Sequence, residues 1–113
     1  MQARHDLTIL GTAQADLEEI AQLHLELVGP NSARNISDKI YGSLDRLRDF
    51  PFMGTAIGDE GLRKRGFRKL VSGNYLCFYR VVQKTVLVYH IVDGRTEYKR
   101  LFRDLASGNV EDM

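Results

Sequence analysis

Cysteine occurs once in this 113-residue chain, as Cys77. A single thiol excludes an internal disulfide, and its position inside an apolar run suits a buried, unreactive side chain. No apolar stretch approaches the roughly 20 residues that span a bilayer, so no membrane partner is expected. The first residues, Met1-Gln2-Ala3-Arg4-His5-Asp6, lack the basic-then-apolar signature of a secretion signal, and the expected location is the cytoplasm. The three histidines, His5, His24 and His90, stand far apart and make no metal-ligand spacing. No P-loop, dinucleotide glycine pattern or nucleophile elbow is present, so neither cofactor nor metal is expected. Only two prolines occur, Pro30 and Pro51, and both fall where helical patterns stop. The length suits one domain, assigned to residues 1–106, with 107–113 as a fraying tail without apolar periodicity.

What is present is an uneven distribution of charge under a net value of +1. Residues 1–60 carry five Lys/Arg and ten Asp/Glu, a balance of −5; residues 61–113 carry eleven and five, a balance of +6. This asymmetry has two readings: a basic surface that meets an anionic partner, or a solvated face folded back beside acidic helices.

The organising block is 67–105. Two apolar runs, 75–82 and 85–92, are separated by Gln83 and Lys84 and read as a β-hairpin. Gln-Lys does not favour a type I′ turn, so the strands carry the assignment and the joint is not held to two residues. In the last strand Val86, Val88 and Val92 alternate with Leu87, Tyr89 and Ile91, apolar on both sides, which predicts a central place in the sheet. Residues 68–71 form a strand ahead of a Ser72-Gly73-Asn74 turn, and 96–105 suit a short helix.

Upstream, 5–10 alternates weakly and reads as a partly exposed strand ending at Gly11. Thr12 is the expected N-cap of a first helix, with Asp16, Glu18 and Glu19 early in it and a stripe of Leu17, Ile20, Ala21, His24, Leu27 and Val28. Gly29-Pro30 stops that helix. Asn31 or Ser32 caps a second, with a stripe of Ala33, Ile36, Ile40, Leu44 and Leu47, ended by Pro51. Together these make an antiparallel hairpin laid on the sheet. Residues 51–66 form a glycine-rich loop with room for a short helix over 59–64. His24 and His90 read as hydrogen-bonded structural side chains.

The basic side chains are the candidates for contact with a target or nucleic acid: Arg63, Lys64, Arg65, Arg68, Lys69, Arg80, Arg95 and, as a stacking ring, Tyr98. Alternation puts Leu76, Phe78 and Arg80 on one face, beside either Arg68 or Lys69. The competing reading is the solvent side of a sheet covered on one face only.

The element order, the Pro51-Phe52-Met53-Gly54 stretch, the run from Phe67 through FRKLVSGNYLCFYRV and the ending HIVDGRTEY together resemble the RelE/ParE superfamily of bacterial toxins. The resemblance covers roughly 5–105. It implies an α+β fold: an N-terminal strand, a helical hairpin, a three-stranded antiparallel meander and a short C-terminal helix. It also implies an antitoxin partner, with Leu76, Phe78, Arg80 and Arg95 as the antitoxin-binding surface. The ribonuclease branch, which cleaves messenger RNA in the ribosome without metal, carries arginines where this sequence has Leu76 and Thr96. Its candidate catalytic residues here reduce to Lys69, Arg80, Arg95 and Tyr98. The ParE branch, which poisons DNA gyrase, ends its last strand in a series similar to His90, Gly94, Arg95, Glu97 and Tyr98, although His90 stands earlier than in that pattern. The resemblance therefore implies a ParE-like, non-catalytic gyrase inhibitor. A ribosome-dependent endoribonuclease and an antitoxin-binding module that has lost its toxicity are the alternatives.

Overall fold

The computed structural model describes residues 4–96 and Phe102. The elements are β1 (Asp6–Ile9), α1 (Gly11–Leu27), α2 (Pro30–Arg46), β2 (Thr55–Ala56), α3 (Glu60–Lys64), β3 (Arg68–Ser72), β4 (Tyr75–Val82) and β5 (Thr85–Asp93). One mixed sheet runs in the order β1-β5-β4-β3-β2. The apolar strand β5 lies between β1 and β4, as its two greasy faces require. Its partner β1 is parallel to it, while β4, β3 and β2 continue antiparallel.

The helical hairpin covers one face. Ala13, Leu17 and Ile20 from α1 and Ile40 and Leu44 from α2 meet Leu70, Tyr75, Cys77, Tyr79, Val86, Val88 and Ile91 from the sheet. Burial there pushes the Cys77 thiol up to about 12, which keeps it protonated and inert. The opposite face carries a smaller aromatic cluster of Ile57, Leu62, Phe67, Phe78, Tyr89 and Phe102.

Several local expectations are corrected by tertiary contacts. The N-cap of α1 is Leu10, and Gly11 begins the helix rather than ending the strand. Thr12 is inside the helix, and its hydroxyl donates to the Tyr89 carbonyl at 2.6 Å, tying α1 to β5. No acid sits in the first turn of α1. Asp16 instead accepts from the Ile91 amide at 2.9 Å and lies 3.0 Å from His90 Nδ1. Leu27 and Val28, expected on the buried stripe, are exposed, and the buried contacts of α1 come from Ala13, Leu17 and Ile20.

Gly29, at φ +138°, reverses the chain and is itself the N-cap of α2, with Pro30 in the first turn. Asn31 and Ser32 are therefore not caps. Ser32 Oγ pairs with His24 Nδ1 at 2.9 Å, while His24 Nε2 meets the Tyr75 hydroxyl at 3.2 Å. Helix α2 ends at Arg46, before Pro51, and Leu47 closes it as a buried C-cap.

In β5 the alternation breaks. Phe78 pairs with His90 and Tyr79 with Val88, so Tyr89 is the extra residue of a β-bulge. The bulge moves Ile91 to the helix-facing cluster with Val86 and Val88, and Val92 to the other face with Leu87 and Tyr89. The β4–β5 joint is two residues after all, with Gln83 at φ +56° and Val82 paired to Thr85. The glycine-rich loop contains β2 and α3, the latter capped by the Asp59 carboxylate on the Leu62 amide at 3.0 Å. Of the expected C-terminal helix only Thr96 and Phe102 are described. The tail 107–113 lies outside the described residues.

Candidate partner-binding surface

Strand register decides which cations share a face. Lys69 pairs with Phe78 and Val71 with Leu76, so Lys69, rather than Arg68, stands on the face that carries Arg80. Arg68 pairs with Tyr79 and points to the helix side. Its guanidinium folds back onto the loop after α2, donating to the Gly54 carbonyl at 2.8 and 3.2 Å and to the Phe52 carbonyl at 3.1 Å.

Arg80 is built into the aromatic cluster. Its guanidinium carbon lies 5.2 Å from the Phe67 ring centroid and 5.7 Å from that of Tyr89. Nε donates to the Tyr89 hydroxyl and Nη1 to the Arg65 carbonyl, both at 3.2 Å. A guanidinium stacked on rings and hydrogen-bonded to neighbours braces the surface where sequence alternation suggested a phosphate ligand. Phe78, expected as an open apolar floor, is fully buried, with its ring edge-on to Phe102 at 5.6 Å.

The open part of this face lies beyond that cluster. Val71, Gly73, Asn74, Leu76, Gly94 and Arg95 line a depression of about 560 Å³ at the β3–β4 turn. Val71 is largely exposed and Leu76 half-buried, so the floor is apolar. Arg95 stands at its rim, with Nε 3.0 Å from Asp93 Oδ1 and its own amide donating to the same oxygen at 2.9 Å. These hydrogen bonds hold the Asp93 carboxyl below its usual range and raise the Arg95 guanidinium above its own.

The remaining candidates scatter. Arg63 donates to the Ile57 and Gly58 carbonyls, Lys64 pairs with Glu60 at 3.3 Å, and Arg65 follows α3 as its C-cap. Tyr98 lies outside the described residues. Thus Lys69 and Arg80 share a face, Leu76 and Arg95 share the depression, and Arg68 leaves both. Among the described residues no cluster of three or more His, Cys, Asp or Glu could hold a metal ion. Nor is any helix among them long and apolar enough to cross a membrane.

The family model described as the ParE toxin of type II toxin-antitoxin system, parDE, matches residues 7–98. The chain belongs to the ParE toxin family. Solved structures bear out the fold. A chain from the chromosomal ParDE TA system of P. aeruginosa is similar at a TM-score of 0.68 with 23% identity, covering 80% of this chain and 96% of its own. A chain of the toxin-antitoxin complex RelBE2 from Mycobacterium tuberculosis is similar at a TM-score of 0.54 and 18% identity, covering 80% of this chain and 98% of its own. No curated protein matches the sequence.

Leu76 and Thr96, the two positions set against arginines in the sequence, are half-buried and exposed respectively. His90 is bound to Asp16 and packs edge-on to Phe102 at 5.5 Å, a structural role as its place in the strand suggested. The long loop after α2 was legible in the sequence, but the exposure of Phe50 and Phe52 on it was not. The Phe-Pro-Phe spelling is the signal that could have found them.

Proposed function

We propose that this ParE-family toxin inhibits DNA gyrase through protein contacts, without chemistry of its own, and is neutralised by an antitoxin that binds the face carrying Leu76 and Arg95. The observation that carries the first half is the surface itself. A metal-independent ribonuclease must stabilise a charged phosphorane and move protons at both oxygens. Here Leu76 and Val71 make the lining of the open depression apolar, and Arg80 is held against the Phe67 and Tyr89 rings. An apolar floor with one rim cation suits a protein side chain better than a scissile phosphate.

For the antitoxin, the imbalance of eleven basic against three acidic residues over 61–105 favours an acidic segment. Val71 and Leu76 provide the seat for its apolar anchor. The relatives of similar fold come from toxin-antitoxin systems, which supports a partner of that kind.

The test is a supercoiling assay with purified gyrase beside toeprinting on translating ribosomes. Inhibition of supercoiling with no new cuts in messenger RNA is the expected result. Codon-specific cuts that vanish in a Lys69→Ala, Arg80→Ala double variant would transfer the reading to the ribonuclease branch.

A further inference from the structure

The loop after α2 presents two phenylalanines in a fixed arrangement. Phe50 is 63% exposed and Phe52 61%, with the half-buried Pro51 between them. The backbone around them is held at several points. The Phe50 amide donates to the Arg46 carbonyl at 2.9 Å and the Met53 amide to the Phe50 carbonyl at 3.1 Å. The Gly54 amide donates to the buried Tyr79 hydroxyl at 3.0 Å. Arg68 binds the Phe52 and Gly54 carbonyls, and its guanidinium carbon lies 5.5 Å from the Phe52 ring centroid.

Exposed apolar side chains are common singly, but two aromatic rings on a loop braced in this way are preorganised for contact. Local charge indicates what they contact. Asp45 pairs with Arg4 and Arg48, and Asp49 with Arg4. Among the described residues Arg46 and Arg68 have no carboxylate partner. Beside the two rings Arg68 thus keeps a charge that no carboxylate offsets, with Arg46 on the last turn of α2 just ahead of the loop.

We propose that Phe50 and Phe52 form the prong by which the toxin engages its cellular target, a protein presenting an apolar pocket bordered by carboxylates. The proposal rests on the reading of this chain as an active toxin and adds the element that reaches the target. Aromatic and arginine side chains are the usual anchors of protein interfaces, and seating both rings removes on the order of 200 Å² of apolar surface from water. Nucleic acid fits the patch less well. Arg68 spends Nε and Nη2 on loop carbonyls, and two guanidinium groups are few against the run of phosphates that a nucleic acid presents. Because Arg68 points away from the face that holds Leu76 and Arg95, target and antitoxin would contact different parts of the sheet.

The experiment compares wild type with the Phe50→Ser, Phe52→Ser double variant and the milder Phe52→Leu. Growth arrest on titrated expression is read beside thermal melting, affinity for the antitoxin, gyrase supercoiling and binding to a single-stranded oligonucleotide. The double variant should melt as wild type does and hold the antitoxin within about twofold, since neither ring is buried. Its growth arrest should need at least about tenfold more protein, the loss expected of an interface anchor, and Phe52→Leu should fall between. Undiminished arrest by the double variant overturns the proposal, as does a tenfold loss of antitoxin affinity. Oligonucleotide binding that disappears together with toxicity also overturns it, in favour of a nucleic-acid contact. Wild type that arrests growth without affecting gyrase defeats the gyrase reading alone, and the prong is then judged on growth arrest. Wild type that arrests nothing defeats both.

Discussion

The Tyr79 hydroxyl accepts a hydrogen bond from the Gly54 amide at 3.0 Å, joining the middle of β4 to the loop that follows α2. The approach is close enough to require glycine. A Cβ at position 54 would lie 2.6 Å from the Lys69 carbonyl and 2.7 Å from the Tyr79 hydroxyl. Burial raises the Tyr79 phenol above its ordinary range, with the Gly54 amide and Arg68 acting in the opposite direction.

Gly54→Ala should therefore destabilise the protein by about 1–3 kcal/mol through overpacking. Tyr79→Phe should cost a similar amount, about 1–3 kcal/mol, by leaving a buried N–H without a partner. Because both act on one contact, the double variant should lose less than the sum. Urea denaturation of the four proteins measures this, and strict additivity would contradict it.

Leu44 is fully buried on α2. Leu44→Asp should unfold the chain or cost more than about 4 kcal/mol, because an unpaired carboxylate would lie among aliphatic side chains. An unchanged melting temperature in soluble protein would contradict this placement of the helix face.

Alkaline pH should weaken the fold. The native Cys77 thiol titrates at about 12 against an ordinary 9.0. Between those values the unfolded chain loses this proton and the folded chain keeps it, so stability is intact below pH 9 and falls as pH rises. The limiting slope from one such group is about 1.4 kcal/mol per pH unit. Tyr75 and Tyr79, also raised by burial, act in the same direction at higher pH. Denaturant titrations from pH 8 upward, with Cys77→Ala as control, check this. The variant should show a shallower decline.

Two arginines of the basic half, Arg80 and Arg95, should separate cleanly. Arg80→Ala should lower stability by about 1–2 kcal/mol, since the guanidinium stacks on Phe67 and Tyr89. Arg95→Ala should leave the melting temperature alone and slow antitoxin association, most at low salt, because its side chain is 92% exposed. Leu76→Glu should instead speed antitoxin release, since it charges the apolar floor. Stopped-flow association at two salt concentrations, with melting curves, distinguishes the three.

The parts of the fold legible in the sequence were those with a local cause. Valine, tyrosine and isoleucine on both faces of 85–92 predicted the central strand, and Gly29-Pro30 predicted the break between the helices. The room left for a short helix over 59–64 is filled by α3. What escaped depends on contacts between distant segments. Thr12 looked like a cap until Tyr89 supplied its carbonyl, and perfect alternation in β5 hid the bulge that moves Ile91 and Val92 to opposite faces. The candidate surface was half legible. Leu76 and Arg95 do share a depression, but Phe102 covers Phe78, aromatic rings hold Arg80, and register sends Arg68 to the other side.

The parallel pairing of β1 with β5 has a consequence for synthesis. Asp6 is matched to Thr85 and Ile9 to Val88, with the whole helical hairpin and three strands between them. Strand β1 must therefore wait for β5 to be made before this edge of the sheet closes. Until then the hairpin has no finished sheet to rest on, and closure of so long a loop slows folding. Any partial chain that stops short of β5 lacks the strand that lies between β1 and β4, so the sheet is completed only once that strand docks.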